Sequence, residues 1–510
     1  MTKHFYLTAA IDYINGAPHL GHAYEKIGAD ALVRYKQLTG YQTWFVVGSD
    51  EHSINILTKA ESLGRDPQDF CDEMARVFQD AFDRLSIGYS IYARTSSEAN
   101  VKTAQHFLQK CYDNGYIYSG VYHGWYCPSC NRFYKQEELL PGNVCPEHKR
   151  PIDELDEPNY FFKLSQFQDR LLEHYERHPE FIQPESRRNE MINVIKGGLD
   201  DFSVSRSTVK WGIPVPFDPS QVIYVWFDAL LDYVSGVGFA DNRERWETFW
   251  PCDVHVIGKD ITRFHAIYWP AMLMAAGEEL PKRVFAHGFI NLKGEKMSKS
   301  AGVLVDPLDL ADQFGADAVR YTLLREVPFD RDGDFSMEAF QNRYNADLAN
   351  DLGNLVNRTA NMIKRYFGGA VPAAGDLEEL DRDLLAAAEA TVAAIDPLME
   401  ALDFSNALVA IWAFVGRANQ YLERASPWLL ARDPANRPRL ETVLGTTAEA
   451  VRLIAYLVLP FMPATAARIA SQLGFELRTE ADWSRWGSLP AGSTIGAVEP
   501  LFPRIETAPV

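Results

Sequence analysis

Two histidines three positions apart, His19 and His22, are the first residues of the chain that could act on a phosphate. They flank Leu20-Gly21, after an apolar run typical of a strand and at the start of a helix-like stretch. A helix N-terminus favours anions, and imidazole N–H groups can donate to phosphate oxygens that gain charge in a reaction. Gly21 would let a purine approach the backbone closely. The alternative interpretation is a polar loop whose histidines cap the helix.

Two lysines, Lys296 and Lys299, lie far downstream in Gly294-Glu295-Lys296-Met297-Ser298-Lys299-Ser300. Ammonium groups on such a loop can neutralise pyrophosphate as it leaves a reaction centre. A solvated basic turn is the alternative interpretation. Taken alone, neither this motif nor the histidine pair identifies an activity.

A metal site is indicated between residues 127 and 148. Cys127-Pro128-Ser129-Cys130 is followed, after 14 residues, by Cys145-Pro146-Glu147-His148. Three thiolates and one imidazole complete the tetrahedral shell of Zn²⁺ and leave no open position. The pattern therefore predicts one structural zinc held by Cys127, Cys130, Cys145 and His148.

The elements that must position these residues follow from the apolar pattern. Strand-like runs at 5–11 and 43–47 alternate with helix-like stretches at 22–39, 67–85 and 99–114, which predicts βαβ units and a parallel sheet. From 115 to about 219 the sequence pattern changes to one of short strands, turns and prolines, which indicates an insertion. The alternation resumes at 222–227, 254–257, 262–276 and 284–289. Beyond 338 the spacing of apolar residues predicts helices almost throughout, with a break at 368–372 and further helices at 377–395, 404–424, 437–458 and 463–473.

Composition narrows the function classes. A net charge of −19 argues against nucleic-acid binding through a broad basic surface, so any such contact must be local. The N-terminal residues lack the apolar core of a signal peptide and no run is long enough for a membrane span, so we expect a cytoplasmic protein without a membrane partner. Six cysteines are too few for a disulfide framework in 510 residues.

The histidine and lysine motifs, in this order, resemble the two signature motifs of class I aminoacyl-tRNA synthetases. Nearly the whole chain resembles the methionyl-tRNA synthetases, in their bacterial form with one zinc and no appended dimerisation domain. The further segments that carry this resemblance are Gly48-Ser49-Asp50-Glu51-His52, Trp211-Gly212-Ile213-Pro214-Val215-Pro216, Tyr224-Val225-Trp226-Phe227-Asp228-Ala229 and Gly258-Lys259-Asp260-Ile261.

The resemblance implies the substrates, L-methionine, ATP with Mg²⁺ and tRNA(Met), and a role for each site residue. His19, His22, Lys296 and Lys299 would be catalytic; Gly21, Gly258, Asp260, Met297, Ser298 and Arg206 would contact ATP. An ordinary surface arginine is the alternative for Arg206. The methionine pocket would comprise Ala10, Ile11, Tyr13, Asp50, Trp226, Ala229, Leu230, Tyr233, Ile261 and His265, with Asp50 on the ammonium group and Tyr13 and His265 nearest the thioether. The chain also lacks the long editing insertion of the related leucine, isoleucine and valine enzymes.

Three residues of the C-terminal half are candidates for reading the anticodon. Asn354 and Arg358 are four apart, so a helix places them on one face, and Trp428 follows the helix that ends near residue 424. By resemblance they would recognise the CAU anticodon, with Trp428 stacked on its cytosine. A packed indole at a helix end and a solvated arginine are the alternative interpretations.

The expected fold is a split α/β Rossmann catalytic domain with a zinc-binding insertion, followed by an all-α helical bundle that binds the anticodon. We expect the catalytic halves at 1–117 and 223–290, the insertion at 118–222, a linking domain at 291–348 and the bundle at 349–510, in a monomer. Two alternatives stay open: another class I synthetase or adenylate-forming enzyme, and a catalytically silent paralogue that only binds RNA.

Overall fold

The structure is a computed structural model that describes residues 3–127, 132–146, 149–292, 295–296, 305–479 and 482–505. Strands and helices alternate in its first part, as the apolar pattern predicts. These elements are β1 Lys3–Tyr13, α1 Leu20–Leu38, β2 Tyr41–Asp50, α2 Ile54–Ser62, α3 Pro67–Arg84, β3 Ile91–Arg94 and α4 Glu98–Asp113. The predicted strands at 5–11 and 43–47 and the helices at 22–39, 67–85 and 99–114 are confirmed within one to three residues, whereas α2 was not predicted.

The second part of the chain begins with the segment that the sequence predicts to be an insertion. Its elements are β4 Ile117–Cys127, β5 Arg132–Tyr134, β6 Asp153–Phe162, α5 Gln168–Arg177, β7 Ile182–Gln183, α6 Glu185–Lys196, β8 Phe202–Ser203, β9 Ser205–Arg206, β10 Pro214–Val215 and β11 Asp218–Ile223. They form a four-stranded sheet in the order β5-β4-β6-β8 and a three-stranded sheet in the order β10-β11-β9. The pairings in both small sheets are antiparallel.

The α/β pattern then returns, and a third small sheet leads to the helices. The elements are α7 Val225–Ser235, α8 Arg243–Phe249, β12 Val254–Gly258, α9 Trp269–Ala276, β13 Val284–His287, β14 Ile290–Leu292, β15 Glu295–Lys296, α10 Pro307–Phe314, α11 Ala316–Glu326, β16 Gly333–Phe335 and α12 Met337–Arg343. The strand expected over 222–227 is wrong in its second half, because the chain leaves β11 at Ile223 and enters α7 at Val225.

One six-stranded sheet carries the site. Its order is β3-β2-β1-β12-β13-β7 and every pairing in it is parallel. The order reverses between β1 and β12, and in such sheets ligands bind in the crevice at the carboxyl ends of the strands on either side of the reversal. The split Rossmann fold is therefore confirmed. The edge strand β7 comes from within the range 118–222, so this segment also contributes to the central sheet.

The central position of β1 explains its composition. Residues 5–10 are all buried, because helices cover both faces of a parallel sheet. The register between β1 and β2 shifts between Thr8 and Ile11. This bulge interrupts the pairing only locally, and the pairing resumes at residues 11–13, which line the cavity described below.

The C-terminal part is helical, as predicted. After a π-helical segment at Tyr344–Gly353 come α13 Asn354–Phe367, α14 Glu379–Glu400, α15 Phe404–Ala425, α16 Pro427–Leu430, α17 Arg437–Val458 and α18 Pro463–Leu473. Gly368 ends α13 in the left-handed conformation that favours glycine. Within the described residues, no helix combines the length and the apolar character needed to cross a membrane.

The helical part is anchored to α1 by a buried ion pair. Arg320 on α11 donates to Asp30 on α1 at 2.5 Å and to the carbonyl oxygens of Pro460 and Phe461. Both charged side chains are fully buried. Helix α1, which His19 caps, is thus fixed against the C-terminal bundle.

Candidate active site

A cavity of about 280 Å³ opens at the crevice between β1 and β12. The carboxyl ends of β1, β2, β12 and β13 line it, together with the start of α1 and one face of α7. It brings together all the residues predicted for the methionine pocket and half of those predicted for ATP binding and catalysis: Ala10, Ile11, Tyr13, His19, Gly21, His22, Asp50, Trp226, Ala229, Leu230, Tyr233, Gly258, Asp260, Ile261 and His265.

The two histidines at the start of α1 have their Nδ1 atoms committed to the backbone. His19 is the N-cap, and its Nδ1 accepts from the Gly21 N–H at 3.1 Å, while His22 Nδ1 accepts from the His19 N–H at 3.1 Å. A neutral imidazole that accepts at Nδ1 carries its hydrogen on Nε2. The rings stack with centroids 3.7 Å apart, so two Nε2–H donors lie together at a helix N-terminus. A side chain at Gly21 would press against His19, since an added Cβ would be 3.0 Å from its Cε1.

Aromatic side chains form one wall of the cavity. Tyr13 and Trp226 meet edge to face, and Trp226 stacks on Phe264 with centroids 3.8 Å apart and an interplanar angle of 10°. Phe264 begins a π-helical segment, Phe264–Tyr268. Such segments occur frequently at functional sites, and this one presents both Phe264 and His265 to the cavity.

His265 is held as a neutral ring by two hydrogen bonds. Its Nδ1 lies 3.0 Å from the Ile261 carbonyl oxygen, which can only accept, so Nδ1 carries the hydrogen. Its Nε2 therefore accepts from the Tyr233 hydroxyl at 2.8 Å. Burial lowers the pKa of His265 to about 4, so the ring stays uncharged at neutral pH.

Asp50 places an acidic group in this otherwise apolar region. It is 3% exposed, and its Oδ1 is buried with no hydrogen-bond partner among the described residues. Burial raises the pKa of Asp50 well above its usual range, and the neighbouring Asp228 and Glu51 raise it further. A ligand ammonium at this position would satisfy the oxygen and stabilise the carboxylate.

A buried lysine connects the two sides of the cavity. Lys26 Nζ donates at 2.8 Å to each of three acceptors, the Ala10 carbonyl, Asp12 Oδ1 and Glu25 Oε1. The other Glu25 oxygen lies 2.9 Å from Nε2 of His287. Strand β1 and helix α1 are thus joined by charged groups directly beneath the histidines.

Sequence reasoning missed six residues that line the cavity: Asp12, Glu25, Phe264, His287, Phe289 and Ile290. A signal existed for Asp12, because a charged residue at the end of a buried strand is costly unless it is paired. The others come from segments whose approach to the cavity depends on the tertiary fold.

Family models match nearly the whole chain. One described as "tRNA synthetases class I (M)" matches residues 5–158 and 150–360, and one described as "Anticodon binding domain of methionyl tRNA ligase" matches residues 371–509. The chain belongs to the methionyl-tRNA synthetases. It is therefore a class I methionine–tRNA ligase, and the alternative of a class I synthetase for another amino acid is wrong.

Individual methionyl-tRNA synthetases are similar over almost all of the chain. The methionine–tRNA ligase of Caldanaerobacter subterraneus subsp. tengcongensis is 48% identical over 99% of this chain and 80% of its own length. That of Streptomyces coelicolor is 44% identical over 99% of this chain and 98% of its own. Among solved structures, Mycobacterium tuberculosis methionyl-tRNA synthetase in complex with methionyl-adenylate has a TM-score of 0.95 at 42% identity, over 99% of this chain and 100% of that one.

The lysine motif of this synthetase lies mostly outside the described residues. The backbone of Lys296 pairs with Asn291 in the β14–β15 hairpin, which starts at the cavity residue Ile290. The side chain of Lys296, and Met297, Ser298 and Lys299 altogether, lie outside the described part.

Arg206 does not line the cavity. It is 5% exposed, donates from Nε to Glu157 Oε2 at 2.9 Å, and lies 4.3 Å from the centre of the Tyr126 ring. The alternative of a surface arginine is therefore wrong, and its contact with the nucleotide stays a prediction.

Half of the predicted zinc ligands are described. Cys127 and Cys145 are buried and share a small apolar cluster with Tyr134 and Ile152, whereas Cys130 and His148 lie outside the described residues. Each described cysteine has a backbone partner among the residues that follow it. Cys127 pairs with Arg132, and the Cys145 N–H donates to the Arg150 carbonyl at 2.9 Å.

The anticodon candidates come together on the helical bundle. Asn354 is exposed at the start of α13, and one turn later Arg358 extends toward Trp428 on α16, with 5.6 Å from the guanidinium carbon to the ring centre. Glu423 pairs with Arg358 at 2.6 Å. Trp428 is half-buried, so part of its indole faces solvent.

Proposed function

We propose that this chain activates L-methionine with ATP to methionyl-adenylate and then transfers methionine to the 3′-terminal adenosine of tRNA(Met). The observation that carries the proposal is the single cavity that brings the aromatic pocket with Asp50 next to the two histidines at the N-terminus of α1. An amino-acid pocket adjoining a phosphate site is what adenylate formation requires.

In the proposed first step, the methionine ammonium binds Asp50 and the side chain enters the pocket of Tyr13, Trp226 and His265. Because hydrogen bonds at both ring nitrogens hold His265 in its neutral form, the imidazole that would lie beside the thioether carries no charge. The polarizable thioether suits such an aromatic, uncharged surface.

The carboxylate of methionine then attacks the α-phosphorus of ATP. A carboxylate–phosphorus bond forms, the bond to the bridging oxygen breaks, and pyrophosphate leaves with the electron pair. The Nε2–H groups of His19 and His22 stabilise the charge on the phosphoryl oxygens, while Lys296 and Lys299 neutralise pyrophosphate, with Met297 and Ser298 from the same sequence motif.

The proposed nucleotide contacts extend from Gly21 to the end of β12. Gly258 and Asp260 would hold the ribose, and a Cβ at Gly258 would be 2.7 Å from Asp260 Oδ1, which explains the glycine. Mg²⁺ bound to ATP would supply further charge neutralisation on the phosphates. Arg206 would act on the nucleotide only from outside this cavity.

In the proposed second step, the 2′ hydroxyl of the terminal adenosine attacks the carbonyl carbon of methionyl-adenylate. The ester forms, AMP leaves, and the hydroxyl proton leaves with it. Asn354, Arg358 and Trp428 would select the tRNA by its anticodon, because an amide and a guanidinium can read base edges and an indole can stack on an unpaired base.

Cys127, Cys130, Cys145 and His148 would hold one structural zinc. The fit is supported by the two described cysteines, which are buried in one small cluster. When bound, zinc would cross-link the two segments that carry the ligands and stabilise this part of the fold.

Two assays test the proposal. Pyrophosphate exchange measured with each of the 20 amino acids should depend on methionine alone, and aminoacylation should follow with initiator and elongator tRNA(Met). Lack of ATP turnover would instead support the catalytically silent RNA-binding paralogue. The resemblance alone supports a monomer in the cytoplasm, which sedimentation equilibrium and cell fractionation would check.

A further inference from the structure

We propose that Asp12 and Lys26 are a positioning pair for the activation step, in which Lys26 fixes the Asp12 carboxylate beside the imidazole of His22. The inference rests on the proposed function, because it concerns the same cavity and reaction.

The position of Lys26 is fully determined by its contacts. Its side chain is completely buried, and its three ammonium hydrogens match the three acceptors, the Ala10 carbonyl, Asp12 Oδ1 and Glu25 Oε1. Ala10 lies within the bulge of β1 and Asp12 just after it, whereas Glu25 and Lys26 lie in the second turn of α1. The lysine therefore fixes the irregular end of the strand against the helix that carries His22.

Asp12 has one oxygen anchored and one unsatisfied. Its Oδ1 is held by Lys26 and lies 3.9 Å from His22 Nε2. Its Oδ2 is buried without a hydrogen-bond partner among the described residues, in a side chain that is 6% exposed and lines the cavity. Leaving a carboxylate oxygen in this state is costly, so a structural role in packing alone does not account for Asp12.

The distance explains what the carboxylate does to His22. Nδ1 of His22 is occupied by the His19 N–H, so the ring hydrogen is on Nε2, facing Asp12. At 3.9 Å the attraction is electrostatic and too long for a hydrogen bond. It orients the ring whose Nε2–H is proposed to donate to a phosphoryl oxygen in the transition state.

The charged state of Asp12 depends on a small set of neighbours. The titratable groups that face it are His22, Glu25 and Lys26 on α1, Tyr92 on β3 and Tyr233 on α7. Burial raises the pKa of Asp12, Lys26 lowers it and Glu25 raises it, and the result is about 6. Asp12 therefore loses its charge as the pH falls through this range.

The variant Asp12→Asn tests the proposal, because it keeps the shape and an oxygen for Lys26 but removes the charge. In methionine-dependent pyrophosphate exchange at pH 8 we expect kcat to fall about tenfold, with the methionine KM unchanged within about twofold. As the pH falls to 5.5, the wild type loses its own charge at Asp12, and the ratio of the two rates should narrow toward one. A ratio that is constant with pH, or equal rates at pH 8, would overturn the proposal.

Asp30→Asn is the matched control. Asp30 is a buried carboxylate on the same helix, paired with Arg320 away from the cavity. Asp30→Asn should lower the melting temperature, but the ratio of its kcat to the wild-type kcat should not change with pH. If Asp30→Asn gave the same pH-dependent ratio as Asp12→Asn, destabilisation of α1 would be the cause and the positioning role would be wrong.

Lys26→Met provides an independent test of the proposed pair. We expect it to lower kcat at least as much as Asp12→Asn, and Asp12→Asn added to it should produce less than a twofold further loss, because the two residues act as one unit. If the losses of kcat in the two single variants were fully additive in the double variant, the two residues would act independently and the proposed pairing would be wrong. Wild-type protein without methionine-dependent exchange would refute the proposed function itself, whereas normal wild-type exchange with an unaffected Asp12→Asn would refute only this inference.

Discussion

The Tyr233 hydroxyl donates to His265 Nε2 across 2.8 Å, and both side chains are buried at the cavity. Since His265 Nδ1 is already committed to the Ile261 carbonyl, the tyrosine fixes the tautomer and the orientation of the ring at once. The part of the proposed pocket nearest the thioether is thus positioned by another residue of the same pocket.

Tyr233→Phe should therefore weaken methionine binding. Without this hydrogen bond the His265 ring can change its tautomer and orientation, and restoring the binding orientation at a cost of about 1–2 kcal/mol would raise the methionine KM roughly five- to thirtyfold in pyrophosphate exchange. The KM for ATP should stay within about twofold. Tyr175→Phe is the control, because the Tyr175 hydroxyl is buried without a partner among the described residues and lies on α5. An unchanged methionine KM in Tyr233→Phe would contradict the role.

Methionine affinity should rise with pH because of Asp50. Burial and the charges of Asp228 and Glu51 raise the pKa of Asp50, so at pH values below that pKa the free protein holds a proton there. An ammonium can pair only with the carboxylate, so methionine binding must release the proton, and affinity should fall about tenfold for each pH unit below the raised pKa.

Calorimetry of methionine binding in two buffers of different ionisation enthalpy would measure the released proton. Asp228→Asn removes the neighbouring charge that raises the pKa of Asp50 most. It should therefore shift the curve of methionine affinity against pH to lower pH. Identical heats in both buffers, with affinity constant from pH 5.5 to 8, would show that Asp50 is ionised before methionine arrives.

Lys299→Ala should slow activation by about two orders of magnitude or more with little change in methionine affinity. Charge accumulates on pyrophosphate only as it departs, so the lysine contributes mainly in the transition state. Lys282→Ala is the control, since Lys282 is an exposed lysine that pairs with Asp253. Normal exchange kinetics in Lys299→Ala would remove this lysine from the mechanism.

Metal analysis should find one tightly held zinc per chain. Cys145→Ala should abolish it and destabilise the segment 118–222 before methionine binding is affected, because closed zinc sites contribute directly to folding. Limited proteolysis and methionine titration would separate the two effects. Cys111→Ala, which removes a buried thiol of α4, should retain the metal; purified wild-type protein without zinc would refute the site.

The local sequence pattern predicts the strands and helices, because these depend on residues close together in the sequence. Features that depend on contacts between distant residues cannot be predicted in this way. The strands at 5–11 and 43–47 are found because parallel strands are continuous apolar runs. The contact between Glu25 and His287 joins residues 262 positions apart, and the edge strand β7 is only two residues long. No periodicity indicates either of them. The π-helical turn at Phe264 was likewise missed, because its apolar spacing resembles that of an ordinary helix.

The contact of Arg358 with Trp428 leads to the last prediction, which concerns tRNA selection by an acidic protein. Trp428 is half-buried beside Arg358, so one part of the indole packs on the bundle and the other can stack on an anticodon base. Stacking contributes about 1–3 kcal/mol per base, so Trp428→Ala should reduce aminoacylation of tRNA(Met) roughly ten- to a hundredfold. Trp428→Phe, which keeps an aromatic face, should lose much less. Methionine-dependent pyrophosphate exchange without tRNA should be unchanged in both variants, because the cavity lies in the α/β part of the chain. If Trp428→Ala lost exchange and aminoacylation together, the residue would be structural, and if it lost neither, another part of the bundle would read the anticodon.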